Sequence, residues 1–548
     1  MQIWKKVVWM LVVLGVLAGC SAESVGEPEI PADAVTITLS DSGITVEGAE
    51  ADAVYTASDI VYYEAGKDFT YGEGSAADAH SAEEAATHTV VHISKPGTYA
   101  LTGKLSRGQI AVDLGKDAKE DPSAVVTLIL NNVDITCTVA PAIIFYNVYE
   151  CGSDDAETAT KDVDTSAAGA NVIIADATTN KISGAYVARI YKPDSVELNA
   201  AGTAVENAKK LHKYDGALYS KMSMNVSGGT FGSGKLLIDA ANEGLDTELH
   251  LTINGGQIEI ESGNDGINTN EDGVSVTTIN GGSLKILVTG ETGEGDGIDS
   301  NGWLVINGGT VIAAACSNSA DAGIDSDMGI HINGGTVIAT GSMLDAIESG
   351  GQTYAVFSFA SRQKGSDVVE LKNADGDAIL EYAPQNAYSI LIFSAPTLQA
   401  GTYTLYSDGK QLSGVAGGAG MGGMRPGNFG GQGGMTMPDG MEIPEGMTPP
   451  EGFNGQGGQG FPGGMEMPNG MTPPEGFNGQ GGQGFPGGME MPNGMTPPDG
   501  FGGQGGQGFP GGSMPNGFGG QGGAIGAAST EFVIADGVNQ FSQIAVAQ

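Results

Sequence analysis

Short apolar runs of strand length follow one another along most of the chain, separated by clusters of Gly, Asp and Asn. Runs such as VTITL from residue 35 and VVTLILNNVDIT from residue 125 either alternate with polar residues or are briefly continuous, which is the pattern of β-strands bounded by turns. Helical periodicity is nearly absent, and one short helix or a loop is predicted at residues 197–213. The pattern therefore predicts an all-β protein.

A repeat of almost constant length occupies the middle of the chain. Its marker is a Gly-Gly pair preceded by Val-Ser or Ile-Asn, which begins at positions 228, 255, 281, 308 and 334, in steps of 27, 26, 27 and 26 residues. Each repeat holds two or three short strands and no helix, and it is shorter than the roughly 40 residues of a propeller blade. The spacing predicts one coil of a parallel β-helix per repeat, over residues 35–349.

Alternation within each coil predicts which side chains face the core. In LTINGG, Leu251 and Ile253 should point inward, as should their equivalents in later repeats. The Gly-Gly pair should take a corner where a positive φ or a close backbone approach excludes a Cβ. The residues predicted to point outward are His250, Trp303, Val305 and His331.

Beyond the repeats the chain changes character twice. Residues 350–412 predict a small antiparallel β domain that covers the open edge of the last coil. Residues 413–528 repeat a Gly-, Met-, Pro- and Gln-rich unit at a period of 24, a composition that predicts a disordered insertion. Residues 529–548 are again typical of strands.

The N-terminus predicts export. Lys5 and Lys6 precede a short apolar run that ends in Leu-Ala-Gly-Cys, so that residues 1–20 resemble a bacterial lipoprotein signal peptide with Cys20 as the lipidated residue. The alternatives are an ordinary cleaved signal or a short membrane span, although the run is shorter than the about 20 residues a span needs. We expect a lipid-anchored, extracytoplasmic protein at the cell surface, tethered by residues 21–34.

Composition limits the partners. The chain has 65 Asp and Glu against 23 Lys and Arg, a formal net charge of −42, which disfavours nucleic acid and requires a cation between the protein and any acidic partner. We expect a monomer. Of the cysteines after Cys20, Cys137 and Cys151 could form a disulfide, whereas Cys316 is typical of a buried core residue.

Acidic and amide residues recur about eleven positions before each Gly-Gly pair, beside an apolar column that runs from Leu245 to Ile347. We call this set the acidic ladder. Its predicted metal ligands are Asp246, Glu248, Asp265, Asn268, Asn270, Asp296, Asp299, Asp325, Asp327 and Glu348, and Glu243 stands in the same column as Asp265 and Asp296.

Stacking would place equivalent carboxylates about 4.8 Å apart. At that distance two carboxylates repel by about 1 kcal/mol in water and by about 3 to 4 kcal/mol at an effective dielectric near 20. Either the side chains splay into solvent or a cation lies among them. Oxygen ligands without His or Cys favour Ca²⁺, while the alternative is a set of Asp and Asn turn formers that bond their own backbone.

One coil earlier the same alignment places Lys221 at the position of Glu248. A lysine beside a calcium-loaded ladder is the arrangement of a polysaccharide lyase, in which calcium neutralises a uronate carboxylate and the lysine removes a proton. The alternative is a lysine in a simple ion pair.

Five stretches carry a resemblance to a known family: GTYALTG, VTLILNNVDIT, DGALYSKMSMNVSGGT, DGINTNEDGVSVTTINGGS and DGIDSNGWLVINGGTV. With them, residues 35–406 resemble the bacterial carbohydrate-binding domain-containing proteins. The resemblance implies a right-handed parallel β-helix similar to calcium-dependent pectate lyases, with calcium in acidic corners and binding to acidic polysaccharide.

These observations predict a non-catalytic surface lipoprotein that binds a pectin-like polysaccharide through bound Ca²⁺, with Trp303, His331 and His250 as sugar contacts. A calcium-dependent lyase using Lys221 is the first alternative. A structural adhesin or protein-docking surface is the second.

Overall fold

The computed structural model describes residues 26–48, 53–290, 293–417 and 527–547. The expected signal peptide with Cys20, and nearly all of the expected low-complexity insertion, lie outside the described residues. Strands dominate the described part, as the alternation of apolar and polar positions predicts. Its helical elements are the single turn α1 (Ala82–Ala85) and two 3-10 turns at Ala118–Glu120 and Pro193–Ser195. No helix in these ranges is long and apolar enough to cross a membrane.

The first fourteen strands precede the regular repeats. They are β1 (Val35–Leu39), β2 (Thr45–Glu47), β3 (Val54–Ala57), β4 (Thr89–Ile93), β5 (Gly97–Leu105), β6 (Gly108–Asp113), β7 (Val126–Cys137), β8 (Ile143–Asn147), β9 (Ala170–Ile174), β10 (Thr179–Gly184), β11 (Val187–Tyr191), β12 (Glu197–Leu198), β13 (Val205–Asn207) and β14 (Lys210–Tyr214).

The next fourteen strands form the repeats. They are β15 (Gly216–Ser220), β16 (Met224–Gly228), β17 (Lys235–Ala240), β18 (Glu243–Thr247), β19 (Leu251–Ile253), β20 (Gln257–Ser262), β21 (Ile267–Thr269), β22 (Val276–Ile279), β23 (Ser283–Val288), β24 (Ile298–Ser300), β25 (Trp303–Ile306), β26 (Thr310–Ala314), β27 (Gly329–Ile332) and β28 (Thr336–Gly341).

Parallel pairing arranges these strands in three stacks. Stack A runs β4, β6, β8, β15, β18, β21 and β24. Stack B runs β9, β16, β19, β22, β25 and β27. Stack C runs β10, β17, β20, β23, β26 and β28. From β16 to β24 the chain visits B, C and A in that order, and each visit pairs with the one a repeat earlier.

Inward side chains from the three stacks meet in one hydrophobic core. Leu251 and Ile253 of stack B, Ile258 of stack C and Leu245 of stack A are all buried within it. The second glycine has a positive φ in four of the five Gly-Gly pairs, for example +80° at Gly309, as the sequence predicts, whereas Gly229 does not. An in-register repeat of alternating residues therefore gives each stack one apolar face.

The C-terminal strands pair antiparallel, except that the first and the last pair with each other in parallel. They are β29 (Tyr354–Gln363), β30 (Val369–Lys372), β31 (Ala378–Tyr382), β32 (Tyr388–Ser394), β33 (Gly401–Ser407), β34 (Lys410–Ala416), β35 (Phe532–Ile534) and β36 (Val538–Val546). β32 pairs antiparallel with β28 and so covers the edge of stack C. The domain has its own core around Phe357, Phe393 and Phe541.

Residues 197–213 contain strands rather than a helix, so that prediction is wrong. β11 and β14 pair antiparallel, and so do β12 and β13. Tyr214 packs its ring against Tyr146 and Tyr219 of stack A, which fixes β14 against the outer face of that stack. Tertiary packing decides the structure of a segment whose own pattern is weak. The thiols of Cys137, Cys151 and Cys316 are all free, and Cys316 is buried as expected.

Candidate metal centre and glycan-binding face

Pairing in stack A places the acidic ladder in line. Asp246 lies opposite Asn268, and Asn268 lies opposite Asp299 on the next strand. The backbone N–H of Asp325 donates to the carbonyl of Ile298 at 2.7 Å, so Asp325 continues the column where no strand is assigned. Beside it, Leu245 and Ile324 are fully buried. The alignment read from the sequence is correct for these residues.

Glu348 does not continue the column. Its N–H donates to the carbonyl of Ile330 at 2.8 Å, and Ile347 bridges Ile330 in parallel, so this segment pairs with β27 of stack B. The edge of β27 would otherwise be unpaired, and the turn after β28 brings residues 346–348 to it. The prediction that Glu348 stands above Asp325 is wrong.

Three buried carboxylates meet at the lower end of the ladder. Asp215, Glu243 and Asp246 each offer one oxygen, and these oxygens lie within 4.8 Å of one another. Asp246 is fully buried, and Glu243 is 4% exposed. Asp215 is not among the ladder residues predicted from the sequence. The sequence signal for Asp215 is the dipeptide Asp215-Gly216, which resembles Asp265-Gly266 and Asp296-Gly297. This dipeptide stands one residue out of register with the repeats, because Gly216 pairs with Glu243.

Amide side chains satisfy only one oxygen of each acid. Asn268 Nδ2 donates to Glu243 Oε1 at 3.2 Å, and Asn270 Nδ2 donates to Asp246 Oδ1. The other oxygens, Glu243 Oε2 and Asp246 Oδ2, are buried and without a hydrogen-bond partner among the described residues. A buried polar atom left without a partner costs about 1 to 3 kcal/mol. Oxygens in this state are what a cation would coordinate, so the residues fit Ca²⁺.

Burial raises the pKa of the ladder carboxyls. Burial and the charge of Asp215 raise the pKa of Glu243 to about 8. Burial and the charge of Asp327 raise the pKa of Asp299 to about 7, and burial and the charge of Asp345 raise the pKa of Asp325 to about 8. In the absence of a cation, these groups retain their protons near neutral pH.

In the part of the chain that the structure describes, the basic side chains paired with the ladder lie at its lower end. Lys213 Nζ contacts Asp215 Oδ2 at 2.6 Å, and Lys210 Nζ contacts Glu248 Oε1 at 2.8 Å. Burial alone would lower the pKa of Lys213, but Asp215 and Glu243 raise it, so Lys213 carries a charge. Within the described ranges, no lysine or arginine forms an ion pair with Asp299, Asp325 or Asp327. Repulsion along the upper ladder is therefore not relieved by side chains.

Asp265 and Asp296 bond the backbone of the next repeat. Asp265 Oδ1 accepts from the N–H of Asp296 at 2.6 Å, and Asp296 Oδ1 accepts from the N–H of Ala322 at 2.5 Å. Burial and neighbouring carboxylates also raise the pKa of both acids. One oxygen of each acid thus bonds backbone, but that of the next repeat, so these two bonds are not those of the turn formers foreseen as the alternative to calcium.

Lys221 lies in register with Glu248, as the alignment of the repeats predicts, because the preceding residue Ser220 pairs with Thr247. Glu248 is already paired with Lys210 and accepts a hydrogen bond from the hydroxyl of Tyr219. The Nζ of Lys221 has no ion-pair or hydrogen-bond partner in the described part of the chain. The simple ion pair considered from the sequence is therefore not formed.

His250 is 2% exposed, so the prediction that it faces solvent is wrong. Residues 150–152 cover it: a Cβ on Gly152 would lie 2.5 Å from its ring, and Glu150 is anchored by the N–H of Ser223 at 2.6 Å. His250 Nδ1 accepts from the N–H of Val276 at 3.1 Å, and burial lowers its pKa to about 4. A buried neutral imidazole cannot contact a polysaccharide.

The other predicted sugar contacts have different surroundings. Trp303 and His331 are half-buried on the outer face of stack B. Val305 is 6% exposed although it points outward, since it lies under the segment that includes residues 161–166. Alternation predicted the side of the strand correctly, but not what covers it.

Comparison with known proteins agrees with the resemblance. A family model described as carbohydrate-binding domain-containing protein matches residues 87–358. This region of the chain belongs to that family, and carbohydrate binding is the general function the match supports. A search of curated proteins gave no match.

One solved structure is similar, a polysaccharide lyase-like protein from C. thermocellum in a gadolinium derivative. The identity is 19% over 56% of this chain and 90% of that chain, with a TM-score of 0.32. A likeness of this extent supports no conclusion about fold or function.

Proposed function

We propose that this protein is a non-catalytic, cell-surface lipoprotein that binds acidic, pectin-like polysaccharide through Ca²⁺ held on the acidic ladder. The family match supports binding of carbohydrate in general. The finer proposal adds the cation and the charge of the ligand. A protein with net charge −42 needs a cation to bind a polyanion.

One observation carries the calcium part of the proposal: Glu243 Oε2 and Asp246 Oδ2 are buried beside Asp215 without partners among the described residues. A cation there would supply the missing interactions, and the surrounding oxygens suit Ca²⁺. Because Asp246 is fully buried, a cation at this end would be structural and would not contact the polysaccharide.

The upper ladder is better suited to the ligand. Asp299 and Asp325 are half-buried, and Asp327 is exposed. Because Ca²⁺ accepts six to eight oxygens, a cation on these few carboxylates would keep positions open for a uronate carboxylate. Trp303 follows Asp299 by four residues, and we propose it and His331 as the adjoining sugar contacts.

Pull-down on polygalacturonate tests the proposal. Retention should require calcium, disappear with chelator and fall at least tenfold in the double variant Asp299→Asn/Asp325→Asn, because the bridging ligands are removed. Asp375→Asn, at an exposed turn of the C-terminal domain, is the matched control and should retain full binding. Retention that is equal with and without chelator would reject calcium bridging.

A calcium-dependent lyase is the second candidate, and the free Nζ of Lys221 favours it. That amine stands in line with the ladder and is not engaged by another group in the described ranges. Polygalacturonate with calcium should then give a rise in ultraviolet absorbance from unsaturated uronide, which Lys221→Ala abolishes. A flat trace with the intact protein would eliminate the lyase while leaving the binding proposal unaffected.

The proposal includes a right-handed parallel β-helix for residues 35–349. The fixed order of the three stacks and their common core support it, and right-handed crossovers dominate among parallel strands. An experimental structure with the opposite hand, or with the stacks as separate layers, would refute it.

We also propose that Cys20 is lipidated and anchors the protein outside the cytoplasm. The apolar run before Cys20 supports this. Metabolic labelling with a fatty acid should mark the intact chain but not Cys20→Ser. Equal labelling of both would contradict the anchor.

A further inference from the structure

A polar groove of about 720 Å³ lies on the outer face of stack B, and we call it the amide groove. Its floor includes Asn225, Thr252 and Thr278, and the segment 161–166 lines it opposite the strands. None of the acidic ladder residues lines it. The groove is therefore a separate concave surface from the candidate metal centre.

Four asparagines form one edge of the amide groove, at the corners before the last four Gly-Gly pairs. Asn333 Nδ2 donates to Asn307 Oδ1 at 2.8 Å, Asn307 to Asn280 at 2.9 Å, and Asn280 to Asn254 at 2.9 Å. All four are exposed. A carboxamide has two N–H donors and two acceptor lone pairs. Asn280 and Asn307 each keep one donor and one acceptor that these mutual hydrogen bonds do not use. Such donor and acceptor pairs recur about every 4.8 Å along the groove edge.

Buried hydrogen bonds fix the opposite side of the groove. The hydroxyl of Thr165 lies 2.8 Å from Asn225 Oδ1 and 2.7 Å from Thr252 Oγ1, and Asn225 Nδ2 donates to the carbonyl of Thr165 at 2.8 Å. Thr165 is 5% exposed. Since the segment is tied to the floor, a ligand would not have to order it on binding.

The charges on the groove select against a polyanion. Lys161 is the basic residue of the lining, and its Nζ pairs with Asp162 at 2.6 Å. Asp164 accepts from the N–H of Ser166 at 2.9 Å and adds a negative charge. The remaining polar groups of the lining are amides and hydroxyls, which hydrogen-bond sugar hydroxyls without requiring charge.

We propose that the amide groove binds a neutral, linear polysaccharide, independently of calcium. Evenly spaced, identically oriented donor and acceptor pairs suit a ligand that itself repeats along its length. The inference rests on the proposed carbohydrate-binding function and adds a second glycan class at a second site.

Affinity electrophoresis in chelator tests this inference, with gels containing a neutral galactomannan, a neutral β-glucan or polygalacturonate. The full-length protein should be retarded by at least one neutral glycan without calcium. The double variant Asn280→Leu/Asn307→Leu removes the amides at similar volume, and Thr278→Tyr fills the floor while leaving the amides intact. Both should weaken retardation at least tenfold, whereas Asp375→Asn, at an exposed turn of the C-terminal domain, should not change it.

The inference is overturned if neither neutral glycan retards the protein, or if Thr278→Tyr, with an unchanged circular dichroism spectrum, is retarded like the original. Thr278→Tyr keeps the test decisive if the double asparagine variant does not fold. If a neutral glycan retards the protein but polygalacturonate does not retain it in the presence of calcium, only the calcium proposal fails. Failure of this inference and failure of the calcium proposal are therefore distinguishable.

Discussion

Asn268 donates a hydrogen bond of 3.2 Å to Glu243, which stands one repeat earlier in the chain. The bond joins neighbouring strands of stack A and satisfies one oxygen of Glu243, while the other stays buried without a partner in the described structure. Amides between the acids separate some charges, but they cannot neutralise them. The ladder is thus ordered by its hydrogen bonds, and its upper part has no basic side chain paired with it in the described structure.

Stability should fall as pH rises when calcium is absent. The folded state holds the proton of Asp299 to about pH 7 and that of Asp325 to about pH 8, against 3.8 for an ordinary Asp. The folded state then binds more protons than the unfolded chain, so the free energy of unfolding decreases between about pH 4 and pH 8. Thermal unfolding in chelator from pH 5 to 9 measures this.

Two controls accompany that series. Exposed carboxyls with a lowered pKa, such as Asp68, are ionised above pH 5 in both the folded and the unfolded chain. They therefore do not contribute to the pH dependence of the free energy of unfolding in this range. Asp299→Asn/Asp325→Asn should flatten the dependence. Stability that is constant or rises from pH 5 to 9 in the unsubstituted protein would contradict the assignment of raised pKa values.

Calcium binding should release protons at pH 7. A cation among Glu243, Asp299 and Asp325 favours their charged forms, and their pKa values of about 7 to 8 mean that part of each population is protonated beforehand. Calorimetry in two buffers of different ionisation enthalpy should give different heats at pH 7 and converging heats at pH 9. Equal heats at pH 7 would exclude proton release.

The sequence predicted the register of stack A because a 26- or 27-residue repeat with period-two alternation allows one alignment of Asp246, Asn268 and Asp299. It did not predict what lies over each stack. Residues 150–152 cover His250, and the hairpin of β11 and β14 leads into Asp215. Both are long-range contacts from irregular segments, which local patterns do not encode.

The alignment also failed at the two ends of the ladder. Asp215 is one residue out of register, and Glu348 moves to β27. Glu348 belongs to the last repeat, which meets the C-terminal strands instead of another repeat. Asp215 follows the hairpin of β11 and β14 rather than a repeat strand, so the repeat does not set its register. The central repeats are therefore the part of the site that sequence reasoning places reliably.

His250→Ala should destabilise the protein by about 2 to 4 kcal/mol. It removes a buried side chain and leaves the N–H of Val276 without its acceptor. Denaturant unfolding measures the change. Polysaccharide retention by the folded variant should be unaltered, since His250 is covered. Lost retention at unchanged stability would restore His250 as a sugar contact.

Gly309→Ala should cost more stability than Gly376→Ala. Both glycines have a positive φ, +80° and +88°, so each alanine is strained by about 1 to 2 kcal/mol. A Cβ at Gly309 would also lie 2.7 Å from the carbonyl oxygen of Gly282, whereas one at Gly376 meets nothing within 4 Å. Equal losses in denaturant unfolding would show that the corner can relax.

Calcium titration by calorimetry at pH 8 tests the central claim most directly, comparing the full-length protein with Glu243→Gln/Asp246→Asn. The account predicts saturable binding to the unsubstituted chain and loss of at least one site in the double variant, since these residues hold the buried oxygens that have no partner among the described residues. Identical titrations for the two proteins, or no binding to either, would contradict it.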